Sequence, residues 1–320
     1  MSDVRPEPSR VTWVVPLILF LLTAGTTLWV GGTWWNAGST VGGNPGLWDI
    51  FRAGLPYAFP LMGILLCHEM GHYLAGRFHR LQVSLPYFIP IPVALGTMGA
   101  LIVYKSRIGS ARKLLDVGVA GPLSGLLVST VLMIVGLNLS TVQKLTPGMG
   151  PIIQEGQSLY YMGLKWLVFG SLPAGYDVFL HPIAWASWVG FFVTMINLLP
   201  VGQLDGGHVA YALLGPAQNR ISAWIHGSMV ALAVAIGMLN GSGAFLAGKS
   251  LETVVQEGMT GSFWLAWAAV LYLLKRIGRG YHPPVSEDAA LGRGRTVLGV
   301  ATLILFLLLF MPVPIRIVEL

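Results

Sequence analysis

Long apolar runs separated by short polar or basic stretches set the pattern of this chain. Val11 to about Val30 is the first run, and a bilayer-crossing helix takes about 20 such residues. Trp29, Trp34 and Trp35 follow as interfacial anchors. Leu55 to about Phe78 is the second span, Leu114 to about Leu139 the third, Ile183 to about Leu199 the fourth and Ile221–Leu239 the fifth. Met259–Leu274 and Val297–Phe310 are a sixth and a short seventh. The predicted fold is all-α and polytopic, with about six to seven transmembrane helices. Between the second and third spans the helical pattern breaks. Pro86, Pro90 and Pro92 fall close together, and strand-like residues follow Gly96 and Gly99. Non-helical backbone at membrane depth survives only where protein or a water-filled cavity covers it. Residues 81–104 therefore predict a small re-entrant β-hairpin or loop.

The polar intervals orient the spans. Arg5 and Arg10 precede the first, Arg77 and Arg80 follow the second, and Lys105, Arg107, Arg112 and Lys113 precede the third. Lys275, Arg276, Arg279, Arg293 and Arg295 separate the last two. The positive-inside rule puts these intervals in the cytoplasm. Residues 36–50 lack Lys and Arg, and residues 140–182 hold only Lys144 and Lys165, so both read as outside segments. Within the latter, Leu159–Phe169 is aromatic and suits the interface. Asp116 reads as interfacial, and the small residues of Ala120–Gly125 allow close helix packing. The first run is too long for a signal peptide and lacks a small-residue cleavage site, so it reads as an uncleaved span. No separate soluble domain is visible, and residues 1–320 read as a single membrane-embedded domain.

Composition agrees. Of 320 residues, 54% are hydrophobic and 10% charged, against about 25% charged in soluble domains. The net charge of +6 is spread over the intervals between spans, which points to a lipid bilayer as partner and to no nucleic acid. Cys67 is the single cysteine, so no intramolecular disulfide forms. On a helix it points about 100° away from His68 and reads as packing.

The chemistry lies in the second span. His68, Glu69 and His72 interrupt an otherwise apolar run. Helical residues four apart differ by roughly 40° in direction and ~6 Å in height, so His68 and His72 share a face and can grip one cation. Glu69 is placed to reach a water there without being a ligand. A buried histidine is more often a satisfied core residue. Three ionisable residues on one turn in lipid, however, need a compensating partner, because each costs about 2.5–3.5 kcal/mol at mid-bilayer. The pattern is His-Glu-x-x-His, that of zinc hydrolases. His68 stands nine residues before Arg77, ~13 Å at helical rise, which puts the site in the cytoplasmic half of the membrane. Such a site usually has three protein ligands. Asp205, after the fourth span among Pro200, Gly202, Gly206 and Gly207, is the best third ligand. His208 is a rival. Asn197 is an amide in lipid that must find a partner, either another helix or a transition-state oxyanion.

With both motifs read, the chain resembles the site-2 protease family of intramembrane zinc metalloproteases. The resemblance rests on His68-Glu69-Met70-Gly71-His72, on Asn197-Leu198-Leu199-Pro200 through Asp205-Gly206, on Ala120-Gly121-Pro122 and on Gly96-Thr97-Met98-Gly99. It covers roughly residues 55–215, and Ile183–Leu214 is closest to the branch found in bacteria and plastids. It implies one Zn2+ per chain held by His68, His72 and Asp205, with Glu69 as catalytic acid/base. It also implies that Asn197 assists the substrate or transition state, and that residues near 97–103, including Thr97 and Gly99, hold substrate as an added strand. The implied activity is hydrolysis of peptide bonds in transmembrane protein substrates. The implied place is the bacterial inner membrane, with the active site toward the cytoplasm. Many relatives carry a PDZ or CBS domain, for which this sequence shows no room. The alternative is a metal transporter or a non-catalytic metal-binding membrane protein. A transporter usually shows internal repeats, and none is visible.

Overall fold

The computed structural model of the protein describes residues 13–36, 46–105, 108–146, 148, 150–277, 285 and 290–319. The polar residues 1–10, most of the predicted outside loop at 36–50, Arg107 and Arg279 lie outside the described residues. The described chain is mostly helical, with three two-stranded antiparallel ribbons. It divides into two compact units: residues 1–108, 123–140 and 180–190 form one, and residues 109–122, 141–179 and 191–320 the other.

In the first unit, α1 (Val14–Asn36) and α2 (Leu47–Phe78) cross backbone to backbone. A Cβ on Gly54 would overlap the carbonyl oxygen of Leu28, and one on Gly32 that of Ile50. This is the close approach that small residues allow between membrane helices. α2 begins eight residues before the predicted second span and carries Pro56 and Pro60 in its interior. Neighbouring helices can satisfy the backbone groups that such prolines free. The predicted interruption is a true hairpin, β1 (Tyr87–Pro90) on β2 (Thr97–Leu101), with Tyr87 opposite Leu101 and a bulge between Phe88 and Pro90.

The hairpin lies along α2. At its open end Val83 bridges Tyr104, and a Cβ on Gly76 would stand 2.6 Å from Val83 Cγ2. At its tip the Tyr57 hydroxyl donates to the Leu95 carbonyl at 2.9 Å. The Thr26 hydroxyl of α1 donates to the Gly96 carbonyl at 2.7 Å. Gly96 has φ +83°, and a Cβ there would meet Thr27 Cα at 2.6 Å, so only glycine fits. Phe20 of α1 meets the buried Phe88 edge to face at 5.1 Å. Two more segments complete the unit. They are residues 123–138 of α3 (Ala111–Asn138) and 182–190 of α5 (Pro182–Asn197). A Cβ on Gly136 would overlap the Ala184 nitrogen, and one on Gly190 would overlap Ser129 Oγ. Ser140 Oγ accepts from the His181 N–H at 2.9 Å.

The second unit holds the remaining parts of α3 and α5, with two ribbons and six further helices. β3 (Thr141–Lys144) pairs with β5 (Tyr176–Phe179), and β4 (Pro151–Glu155) pairs with β6 (Ile315–Glu319). The aromatic stretch Leu159–Phe169 is α4, capped by Ser158, whose hydroxyl accepts from the Tyr161 N–H. A buried polar cluster ties this region together. The Tyr161 hydroxyl donates to Glu155 Oε1 at 2.9 Å, and Lys165 Nζ lies 3.7 Å from Glu155 and 3.4 Å from Asp177. Next come α6 (Asp205–Leu214), α7 (Ala217–Leu246), α8 (Leu251–Gly258), a 3-10 turn at Met259–Gly261 and α9 (Ser262–Ile277). α10 (Arg293–Leu309) completes the set. Gly299 of α10 packs on Leu115 and Leu213, and Arg295 holds the Asp116 carboxylate at 2.8 Å through both Nε and Nη2.

Among the described residues, four helices are long and apolar enough to cross a membrane, over Val14–Trp35, Leu47–Phe78, Ala111–Asn138 and Ala217–Leu246. The other three expected spans are helical but short, α5 and α9 with 16 residues and α10 with 17. That is about 24–26 Å at helical rise, against a hydrocarbon core of ~30 Å. The apolar runs at these positions lengthen into loops or turns. α5 gives way at Asn197 to Leu198-Leu199-Pro200, because a proline has no N–H to continue a helix.

Candidate metal centre

Helical periodicity sets His68 and His72 on one face of α2, where both are buried. Their Nε2 atoms face each other at 3.2 Å, with the rings 4.9 Å apart and inclined by 67°. Two zinc–nitrogen bonds of about 2.0–2.1 Å at a tetrahedral angle separate their nitrogens by about 3.3 Å. The donor pair thus fits a shared cation. Glu69 is also buried, at 5% exposure, on the same turn.

Asp205 is delivered by a tight reversal. α5 ends at Asn197, Gly202 takes φ +60°, and Leu204 is the N-cap of α6, so that Asp205 stands in its first turn. A carboxylate is favoured there by the partial positive charge of a helix N-terminus. The reversal needs bare backbone, since a Cβ on Gly206 would overlap the Leu198 carbonyl and one on Gly207 the Gly202 carbonyl. α3 passes alongside, and a Cβ on Gly118 would lie 3.1 Å from His208 Cβ and 3.2 Å from the Asp205 carbonyl. His68, His72 and Asp205 each offer one ligand atom, and all of these lie within 4.8 Å of one another. The rival ligand His208 and the neighbour Cys67 are not members of that group.

The other expected site residues fall out differently. Asn197 is the half-buried last residue of α5. Thr97 is buried, and its hydroxyl is spent inside the hairpin, donating toward the Ile89 and Gly99 carbonyls and accepting from the Gly99 N–H at 2.9 Å. Gly99 has φ +94° and opens on free space. Sequence reasoning missed Tyr57 and Thr26, which anchor the hairpin tip. A phenol near the start of an apolar span was the available signal. It also read Ser124 and Gly125 only as part of a packing stretch, whereas the Ser124 hydroxyl donates to the Cys67 carbonyl at 2.9 Å and Gly125 lies against His68.

Two histidines one turn apart, an adjacent buried glutamate and a carboxylate from a distant turn define the class of protein: a membrane-helix relative of the His-Glu-x-x-His metallohydrolases. Comparison with known proteins narrows this. Peptidase family M50 matches residues 56–239, and the chain belongs to that family, the site-2 protease family that its two motifs resemble. "Probable zinc metalloprotease EGY1, chloroplastic" of Arabidopsis thaliana is 32% identical over 237 residues, covering 65% of this chain and 42% of the relative. "Probable zinc metalloprotease EGY2, chloroplastic" of Oryza sativa subsp. indica is 28% identical over 272 residues, covering 83% and 44%. "Probable zinc metalloprotease EGY3, chloroplastic" of the same rice is 25% identical over 306 residues, covering 92% and 47%. The chain thus spans less than half the length of these relatives. No solved structure matches.

Proposed function

We propose that the chain is a zinc-dependent endopeptidase that hydrolyses peptide bonds of transmembrane protein substrates. The observation that carries this is the convergence of His68, His72 and Asp205 within 4.8 Å, on a helix that also buries Glu69. Imidazole and carboxylate donors suit zinc, and three protein ligands leave a fourth position for water or substrate. Zinc, when bound, supplies Lewis acidity and brings the pKa of a water to ~7. Glu69 takes the proton of the attacking water as it adds to the scissile carbonyl. It then returns that proton to the leaving amine, so the C–N bond breaks with no net change at the carboxylate. Asn197 is the candidate amide donor to the carbonyl oxygen as it gains negative charge.

A substrate helix hides its peptide bonds in its own hydrogen bonds and must unwind before cleavage. The hairpin runs along α2 from Gly76 to Tyr57, a stretch that contains the whole metal motif. An extended substrate segment added to the edge of β2 exchanges helix hydrogen bonds for strand hydrogen bonds. In this reading Thr97 shapes β2 from within, and the open side of Gly99 leaves room for substrate. Residues 1–320 act as one membrane-embedded peptidase domain with a core at about 55–215. The apolar helices support a membrane as the site of action. The relatives are named as chloroplastic and lend no support to the bacterial inner membrane expected from the sequence.

The test uses the full chain in bilayers with a single-span substrate protein. Wild type cleaves the substrate, and Glu69→Gln retains zinc while its rate falls about 10²–10⁴-fold. Equal cleavage by the two proteins would sink the acid/base assignment. Zinc flux into vesicles that persists in Glu69→Gln, without cleavage by wild type, would establish transport instead.

A further inference from the structure

Which way the first metal ligand turns is not settled by its own helix. The χ2 torsion of histidine is broad and roughly two-fold, so the ring of His68 can rotate unless something stands against it. α3 supplies that boundary. An ideal Cβ on Gly125 would lie 3.1 Å from both Cβ and Nδ1 of His68 and 3.4 Å from Cγ. The Nδ1 edge of the ring is therefore turned to the bare Cα of Gly125, and its Nε2 is turned to His72 Nε2 at 3.2 Å. One residue earlier on α3, the Ser124 hydroxyl donates to the carbonyl of Cys67, the residue before His68 on α2. A further turn along, the Ser129 hydroxyl donates to the Gly125 carbonyl at 2.8 Å and is buried, so the wall is itself held.

We propose that Gly125 and Ser124 are positioning residues for the first metal ligand. The missing side chain of Gly125 sets the rotation of the His68 ring. The Ser124 hydroxyl sets the height of α2 at that point. The proposal rests on the metal-dependent reading above and deepens it. A methyl at position 125 pushes on Cβ and Nδ1 together, so it shifts the ring and also turns it, by a few tenths of an ångström. Ligand distances tolerate only about ±0.2 Å, and groups that orient metal ligands typically affect metal affinity or activity 10–100-fold. Alanine is also the better helix former. The substitution therefore separates two effects: it favours the helix while it disturbs the ligand.

The experiment compares the wild-type full chain with Gly125→Ala, Ser124→Ala and the control Gly63→Ala, whose new methyl meets nothing within 4 Å. Metal-free protein is titrated with Co2+ and followed by its visible absorption. Zinc affinity is measured by chelator competition, and cleavage is resolved into kcat and KM. Gly125→Ala should bind zinc about 10–100-fold more weakly, shift the Co2+ bands and lower kcat at unchanged KM. Its metal-free melting temperature should stay at or above that of wild type. Ser124→Ala should move in the same direction by less, and Gly63→Ala should match wild type. Wild-type zinc affinity with unshifted Co2+ bands in Gly125→Ala would overturn the proposal and leave the metal site standing. So would an affinity loss that merely follows a fall in metal-free stability. If Gly125→Ala does not fold, the same outcomes in Ser124→Ala decide the question. Failure of the wild-type chain to bind either metal would overturn the underlying reading as well.

Discussion

At the scale of single residues, the choice between Asp205 and His208 shows what a few ångströms decide. Both follow the same glycine-rich turn and both are chemically able to bind zinc. Only Asp205 belongs to the group that converges with His68 and His72. Replacing a group that merely orients a ligand costs 10–100-fold in affinity, so removing a ligand itself should cost more. Asp205→Ala should lower zinc affinity by more than about 100-fold, and His208→Ala should leave it unchanged, as read by chelator competition. Gly206 acts at the same scale. Its missing Cβ lets α6 fold back over the Leu198 carbonyl, and a side chain there would move Asp205 off the metal.

At the scale of elements, the hairpin is held at its tip by only a few groups. Tyr57 gives the Leu95 carbonyl its hydrogen bond, Thr26 does the same for Gly96, and the absent side chain of Gly96 lets the tip touch α1. Tyr57→Phe removes a bond of about 0.5–1.5 kcal/mol net. Gly96→Ala adds left-handed strain of about 1–3 kcal/mol and a further ~1–3 kcal/mol for overpacking against Thr27. Amide exchange across residues 87–101 should accelerate modestly in Tyr57→Phe and strongly in Gly96→Ala. Both proteins should keep their zinc, because neither change touches His68 or His72. Substrate turnover should fall through KM. If zinc is lost as well, the hairpin is part of the metal site and not a separate platform. The proline- and glycine-rich sequence announced a break from helix at residues 81–104, but its anchors lie on two other helices, where nothing in the local pattern marks them.

At the scale of the whole molecule, pH reports on the region between α3 and α5. Burial raises the Glu155 carboxyl above the ordinary carboxylate range, an effect only partly offset by Lys165, and Asp177 adds to the rise. In the window from the ordinary glutamate pKa up to the raised one, the folded state therefore binds more protons than the unfolded state. Stability falls as pH rises through that window. Glu155 thus contributes most at acidic pH, and its contribution is lost on going toward neutrality. Thermal unfolding measured across that range should show the fall in wild type and a flatter profile in Glu155→Gln, which keeps an acceptor for the Tyr161 hydroxyl. An unchanged slope would place the titration elsewhere.

Periodicity and spacing act along the chain, so they alone determined the apolar helices, the single face shared by His68 and His72, and the break between the second and third spans. A signal of that kind reports what a residue's near neighbours require. It carried the fourth span two residues past α5, because the apolar run continues through Leu198 and Leu199 to the turn at Pro200, and it began the sixth span within the 3-10 turn and the last one four residues after α10 starts. Folding decided the rest: Asp205 over His208, the inward-turned hydroxyl of Thr97, the pairing of β4 with β6, and the glycine wall against His68. Each depends on close approach between segments far apart in sequence, where the free energy lies in packing and hydrogen bonds that no local pattern encodes.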